Sequence, residues 1–478
     1  MENPNRPLVQ AIIKFKEANP ISFHVPGHKG GLLSGLPDEL RSALDYDFTE
    51  LTGLDDLHEP DGVIEEVQKK LASFYGADQS FFLVNGSTVG NLAMVYATCQ
   101  TGDTVIVQRN THKSIFNAIE LTGAKPVFVS PVWDNRAKAV GTVNAVQIGK
   151  ALAQHPEAKA VILTYPTYYG STGTDLEEAI KLCHTYKVPV LVDEAHGAHF
   201  AVGDPFPRSA LEMGADVVVH SAHKTLPAMT MASFLHVKSD LVTYERVAHY
   251  LQMLQSSSPS YILMASLDDA RAYVESYNKE DKTFFMARRM AFIERLELIP
   301  ELQVIETDDL LKLIIRVEGY SGFDVQKQLE AEGVYGELAD PYQVLFVLPL
   351  LKAGLAYPFE ETCQKIEAAV ACLDESHRIK DTVEVPLFNE EISVLAYTST
   401  EIGQMETEWV LYEEAIGRVA AASIIPYPPG IPLLIGGECV GDGHIQSLGE
   451  LIRMRAKFQG TIRVNEKQIC VVKKRVEE

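Results

Sequence analysis

From about residue 61 to residue 240, short apolar, β-branched runs alternate with amphipathic stretches long enough to cross over a sheet, and no other feature constrains the fold as strongly. Phe81–Val84, Thr104–Gln108, Pro126–Ser130, Ala160–Thr164, Pro189–Asp193, Asp216–His220 and Ser233–Val237 read as strands. They are continuously apolar, the pattern of strands covered on both faces. Helical periodicity fills Val63–Tyr75, Thr88–Thr98, Ser114–Leu121 and Asp175–Tyr186. This succession predicts an α/β domain with a mostly parallel, doubly wound sheet, whose ligands bind outside the C-terminal strand ends. The polar residues that close the runs are therefore the first candidates for chemistry.

The chain has 478 residues, more than one hydrophobic core usually fills, so several domains are expected. The pattern divides into an N-terminal segment (1–60), a large domain (61–265), a small α+β domain (266–374) and a C-terminal domain (375–478). The small domain is entered through an Arg-rich helical connector, Ser266–Leu298. It carries strand-like runs at Leu313–Val317 and Val344–Leu348, with helices near Phe323–Glu332 and Phe359–Leu373. In the last domain a helical stretch is expected at Glu406–Ala422, followed by a Pro/Gly-rich loop, Ile425–Gly443.

Acidic residues outnumber basic ones, 65 to 42, for a net charge of −23. That argues against nucleic-acid and anionic-membrane partners, whose binding needs concentrated Lys and Arg, and suits a small cationic or neutral substrate. The six cysteines are scattered, with no C-x-x-C pair and no Cys/His cluster at metal-ligand spacing. Reduced thiols, no metal and a cytoplasmic location are the expectation. The N-terminal residues show no signal-peptide pattern, and no run of about 18 apolar residues suggests a membrane span.

Four motifs stand at strand ends. Lys224 follows a strand run directly and sits among small and apolar residues, where desolvation lowers an amine's pKa and favours Schiff-base chemistry. The same residue also reads as an ordinary loop lysine facing solvent. Asp193 closes the run Leu191–Asp193, where an acid holds a pyridine nitrogen protonated, caps a helix, or binds magnesium as in an ATPase. No G-x-x-x-x-G-K-[ST] accompanies it. Asn85-Gly86-Ser87-Thr88 opens a helix, which suits either a phosphate cradle or a plain N-cap. His112 follows a strand end and reads as a ring-stacking residue or a surface cap.

Taken together, these motifs resemble those of the ornithine/lysine/arginine decarboxylases, pyridoxal-phosphate enzymes of the aspartate-aminotransferase fold. The matching segments are Phe23–Gly31 (FHVPGHKGG), Gly53–Gly62 (GLDDLHEPDG), Asn85–Asn91 (NGSTVGN), Arg109–Ser114 (RNTHKS), Val192–His199 (VDEAHGAH), Ser221–Thr230 (SAHKTLPAMT), Ser256–Tyr261 (SSSPSY) and Tyr427–Glu438. The resemblance implies Lys224 as the Schiff-base lysine, Asp193 as partner of the pyridine nitrogen, and His112 and Ala195 on the two faces of the ring. It implies Gly86, Ser87, Thr88, Ser221 and His223 around the phosphate, with Ser257 or Ser258 reaching the phosphate of a neighbouring subunit. Glu438 then meets the substrate's distal cation, and His196, His223 or Lys224 reprotonates the α-carbon. Met231 and Gly436 depart from the family pattern, which often has Gln and Pro there. The implied reaction is decarboxylation of arginine, then lysine, then ornithine, in a homodimer or higher homo-oligomer that shares its active sites. An aminotransferase or lyase on the same fold, or an inactive regulatory homologue, is the alternative. Arg316 and Arg378 are the only arginines between Ile299 and Glu384, and neither stands in a recognisable carboxylate-binding motif.

Overall fold

The computed structural model describes residues 5–378, 390–427, 430–453, 456–460 and 462–474. The chain forms two compact units, Met1–Thr98 with Lys187–Asn278, and Cys99–Tyr186 with Lys279–Glu478.

In the first unit four strands lie side by side in the order Gln79–Leu83, Ser233–Val237, Val217–His220, Val190–Asp193. The last two are parallel, with Asp193 opposite Val219, and Ser233–Val237 is antiparallel to both its neighbours. Every residue of the three strands Val190–Asp193, Val217–His220 and Ser233–Val237 is buried, as their unbroken apolar runs require. The helix Gly86–Thr98 follows the first strand. A Cβ at Gly90 would come within 2.7 Å of Leu83 Cδ1 and 2.9 Å of Val219 Cγ1, so only glycine lets this helix lie so close to the sheet. Gly86 itself has φ +76°, which turns the chain from strand into helix. The N-terminal helix Pro7–Glu17 opens with proline and is anchored through the Leu8 and Val9 N–H groups, which donate to Asp268 Oδ2 at 2.9 and 3.3 Å. Asp268 is in turn paired with Arg271, and both are fully buried.

In the second unit Ala160–Thr164, Thr104–Gln108 and Lys125–Val129 pair in parallel, and the antiparallel Ile392–Val394 flanks them. A second, antiparallel sheet orders Leu302–Glu306, Lys312–Val317, Val344–Val347 and Leu338–Ala339. Its core is built with the helices Gly322–Ala331 and Phe359–Ala371 around Leu313, Ile315, Leu329, Val344 and Ile366. A third sheet, Thr407–Leu411, Gln468–Val472 and Ile462–Arg463, shares a core with the helix Asp442–Arg453.

The α/β class and every strand expected between residues 79 and 240 are present, with ends shifted by two residues or fewer. Two expectations need correction. Glu406–Ala422 is no helix: Thr407–Leu411 is a strand and Tyr412–Ala415 a 3₁₀ turn. The segment TEWVL is rich in β-forming side chains, and its pairing with Gln468–Val472 overrides the weak helical period. The connector expected as one stretch forms two helices, Tyr261–Glu275 and Lys279–Leu296. Pro428 and Pro429 of the segment Tyr427–Glu438 lie outside the described residues.

Candidate active site

The first unit holds most of the candidate residues, six of them at the C-terminal ends of its two parallel strands. Asp193 ends one strand, is 3% exposed, and accepts hydrogen bonds from Asn91 Nδ2 at 2.9 Å and from the Ala195 N–H at 3.2 Å. Two donors on a buried carboxylate fix its orientation. Asn91 comes from the helix Gly86–Thr98, so the Gly90 close approach also sets the Asn91–Asp193 contact. Ser221 begins the turn after the other strand, and its hydroxyl donates to Ser87 Oγ at 2.7 Å. That bond ties the lysine turn to the first residues of the helix, whose N–H groups have no carbonyl within the helix to pair with.

Lys224 lies on the short helix Ala222–Thr225, and its Nζ is 3.0 Å from His196 Nε2. His196 is 6% exposed and lies three residues beyond Asp193. His223 Nδ1 donates to the Ala232 carbonyl at 3.1 Å, which places a proton on Nδ1. Ala195 is buried. Ser257 and Ser258 lie in an exposed loop held by Ser256, whose N–H donates to Asn85 Oδ1 at 3.3 Å and whose carbonyl takes His58 Nε2 at 2.8 Å.

The second unit holds His112 and Glu438. His112 caps the helix Lys113–Thr122: its Nδ1 accepts from the Ser114 N–H at 3.3 Å and lies 2.8 Å from Ser114 Oγ. Glu438, 7% exposed, meets Arg109, 2% exposed, in a two-pronged pair. Arg109 Nε donates to Glu438 Oε1 at 3.0 Å and an Arg109 terminal nitrogen donates to Oε2 at 2.8 Å, while the Ile435 N–H adds a third bond of 2.8 Å. A cation bound at Glu438 would share it with Arg109. His444 stands in the field of both: burial pushes its imidazole below the ordinary value, Glu438 pulls it up and Arg109 pushes it down again. Arg316 is engaged by Gln343 Oε1 at 2.8 and 2.6 Å, and Arg378 pairs with Glu301 and Glu375 near the surface.

Sequence reasoning missed Asn91 and Arg109 as site residues, although both stand inside quoted motifs. Their signal was spacing: Asn91 lies one helical turn beyond Ser87 and Thr88, and Arg109 directly follows the strand Thr104–Gln108. Among the described residues no group of three or more His, Cys, Asp or Glu is placed to hold a metal ion, and no helix is long and apolar enough to cross a membrane.

An anchored buried acid, a lysine on the adjoining strand's turn, and a helix N-terminus with two linked hydroxyls fit the ring nitrogen, aldehyde and phosphate of pyridoxal phosphate. Fold and site thus define a pyridoxal-phosphate enzyme of the aspartate-aminotransferase fold. Residues 6–296 match the family model "Orn/Lys/Arg decarboxylase, major domain" and residues 388–461 its C-terminal domain. The chain is 45% identical to "Uncharacterized protein YaaO" of Bacillus subtilis, with 98% of each covered. It is 34% identical to the arginine decarboxylase of Bacillus anthracis, over 98% of this chain and 97% of that one. The lysine decarboxylase LdcF of Francisella novicida superposes with a TM-score of 0.80 at 18% identity, covering 98% of this chain and 81% of that chain, a likeness of fold. The chain belongs to the Orn/Lys/Arg decarboxylase family: it is a pyridoxal-phosphate-dependent amino-acid decarboxylase.

Proposed function

We propose that the substrate is a basic L-amino acid, arginine first, giving agmatine and carbon dioxide, with lysine and then ornithine as poorer substrates. The observation that carries the reading is the pair of adjacent parallel strand ends that presents Lys224, 3.0 Å from His196, beside an Asp193 anchored by Asn91. Relatives named arginine decarboxylase, 34% identical over almost the whole chain, support placing arginine first. Arg316 and Arg378 are both engaged by neighbouring side chains, which favours decarboxylation over transamination.

Bound pyridoxal phosphate supplies an electron sink for the bond broken as the carboxylate leaves. Asp193, held in place by Asn91 and the Ala195 N–H, is the residue that would hold a proton at the ring nitrogen. Gly86, Ser87, Thr88, Ser221 and His223 take the phosphate, with Ser257 and Ser258 from a second copy, and Ala195 and His112 flank the ring. Lys224 carries the amine that holds the cofactor and later releases the product. His196 is positioned to pass a proton to or from that amine, and His223 is the other candidate for returning a proton to the α-carbon. Glu438 attracts the distal cation of the substrate while remaining bound to Arg109.

The active unit is a homodimer or a larger homo-oligomer. Ile21, Phe23, Leu32, Leu33 and Leu40 are each more than 60% exposed, an apolar surface that a second copy would cover. All six cysteines are free thiols, which supports a cytoplasmic location. Steady-state kinetics on arginine, lysine and ornithine test the substrate order: the highest kcat/KM is expected for arginine, and keto-acid product in place of carbon dioxide and amine overturns the reading. Lys224→Ala is expected to abolish turnover and the near-visible absorbance of bound cofactor; a variant that keeps both refutes the assignment of Lys224.

A further inference from the structure

Buried polar side chains run across the first unit's sheet, one from each of its four strands or strand ends. Glu194 follows Asp193, and its carboxylate accepts from Ser209 Oγ at 2.7 Å and the Ala210 N–H at 2.9 Å, with His220 Nε2 at 2.7 Å. His220 Nδ1 lies 3.1 Å from His236 Nε2, and His236 Nδ1 lies 2.7 Å from Ser80 Oγ. Glu194, His220, His236 and Ser80 are all 0% exposed. One proton arrangement satisfies every contact with a single charge. Ser80 donates to His236 Nδ1, His236 Nε2–H donates to His220 Nδ1, and His220 Nε2–H donates to Glu194. Both imidazoles are then neutral and the charge rests on the carboxylate. Tyr75, the other titratable group against this pair, stacks on His236 with ring centroids 4.4 Å apart and donates its hydroxyl to the Ala198 carbonyl. Burial and, after it, His220 hold the His236 imidazole well below its ordinary value, in keeping with the neutral form.

We propose that Glu194, His220, His236 and Ser80 form a positioning relay for the active site. The Glu194–His220 link joins the residue after Asp193 to the residue before Ser221, four positions from Lys224. It therefore fixes the spacing between the acid and the lysine turn, and the rest of the chain fixes the tautomer of His220. The inference rests on Asp193 and Lys224 being the cofactor residues. None of the four side chains touches cofactor or substrate in this role.

The test compares His220→Leu, which removes the link, with His220→Gln, which keeps a donor and an acceptor at similar reach, and with Glu194→Gln, whose amide lets the chain run in the reverse direction. For the holoenzyme, His220→Leu is expected to lower kcat about tenfold or more with KM changed less than about twofold, and His220→Gln to return kcat to within about threefold of the parent. Thermal unfolding of the purified protein supplies a readout apart from activity. The folded state refuses a proton on His236 that the unfolded chain accepts below about pH 6.5, so stability is lost as pH falls through that value, and His236→Gln flattens the dependence. If His220→Leu fails to fold, His220→Gln and Glu194→Gln decide: both are expected to fold, and a tenfold loss of kcat in His220→Gln overturns the relay. A His220→Leu protein with parental kcat overturns it as well, as does an unchanged pH dependence in His236→Gln. Absence of decarboxylation by the unaltered holoenzyme counts against the proposed function instead, while the unfolding measurement still reports on the chain.

Discussion

Arg109 and Glu438 are 329 residues apart in sequence and share two hydrogen bonds where almost no solvent reaches. Removing one partner of such a pair leaves a buried, uncompensated charge at a cost of about 3–5 kcal/mol, whereas replacing both by apolar residues of similar volume is often neutral or better. Glu438→Ala is therefore expected to destabilise the protein by about that much in urea unfolding, and Arg109→Met with Glu438→Leu to recover most of the loss. The double variant then isolates the substrate role: if Glu438 also meets the substrate cation, stability returns while KM stays raised. A Glu438→Ala protein of parental stability contradicts the pair's structural importance. Recovery of both stability and KM in the double variant contradicts the substrate contact.

At the scale of single elements, the helix Val63–Tyr75 shows how one residue sets an end. Asp55, at φ +70°, accepts from the N–H groups of Asp56, Asp61, Gly62, Ile64 and Glu65, so it folds the preceding turn and caps the helix together. Burial pushes its carboxyl up, yet the backbone donors outweigh burial and hold it below its ordinary value. Such an acid stabilises the fold above the unfolded pKa of about 3.9 and loses that contribution as pH falls through the folded value. Asp55→Ala is expected to cost about 2 kcal/mol at neutral pH, with the gap to the parent closing as the pH drops below about 4. Parallel urea titrations of the two proteins at neutral and acid pH check it, and a gap that persists unchanged at acid pH refutes it. Elements of this kind were largely legible in the sequence: Val63–Tyr75 and the apolar strands carry their own periodicity, so local pattern and tertiary burial agree. Thr407–Leu411 was misread because its partner strand lies some sixty residues away and no local pattern encodes that pairing. The motifs that put forward Asp193 and Lys224 as candidates each lie within one strand-end turn, so they were readable for the same reason that Val63–Tyr75 was. His220 and His236 were not, because inside apolar strands they look like core positions and only strand adjacency makes them partners.

For the whole molecule the decisive surface is the stretch from Ile21 to Leu40. Phe23 is 95% exposed, Ile21 89% and Leu32 82%, the apolar stretch that the proposed second copy would cover. The stretch contains the FHVPGHKGG motif, Phe23–Gly31, which supports the proposal that association also completes the site. In the proposed oligomer the net charge of −23 on each copy opposes association, so the apolar contact would have to outweigh a like-charge repulsion. Salt screens exposed charges beyond about 8 Å at physiological ionic strength and leaves apolar burial intact, so added salt is expected to tighten the dimer. Phe23→Asp combined with Leu32→Asp places charge on the contact itself and is expected to weaken association at least about tenfold, roughly 1.4 kcal/mol. Sedimentation velocity across protein concentration reads the change, and decarboxylation assayed on the same samples should fall in step with the dimer fraction. Full activity in a variant that sediments as a monomer would show that each copy builds a complete site, and an unaltered dimer in the double variant would move the interface elsewhere.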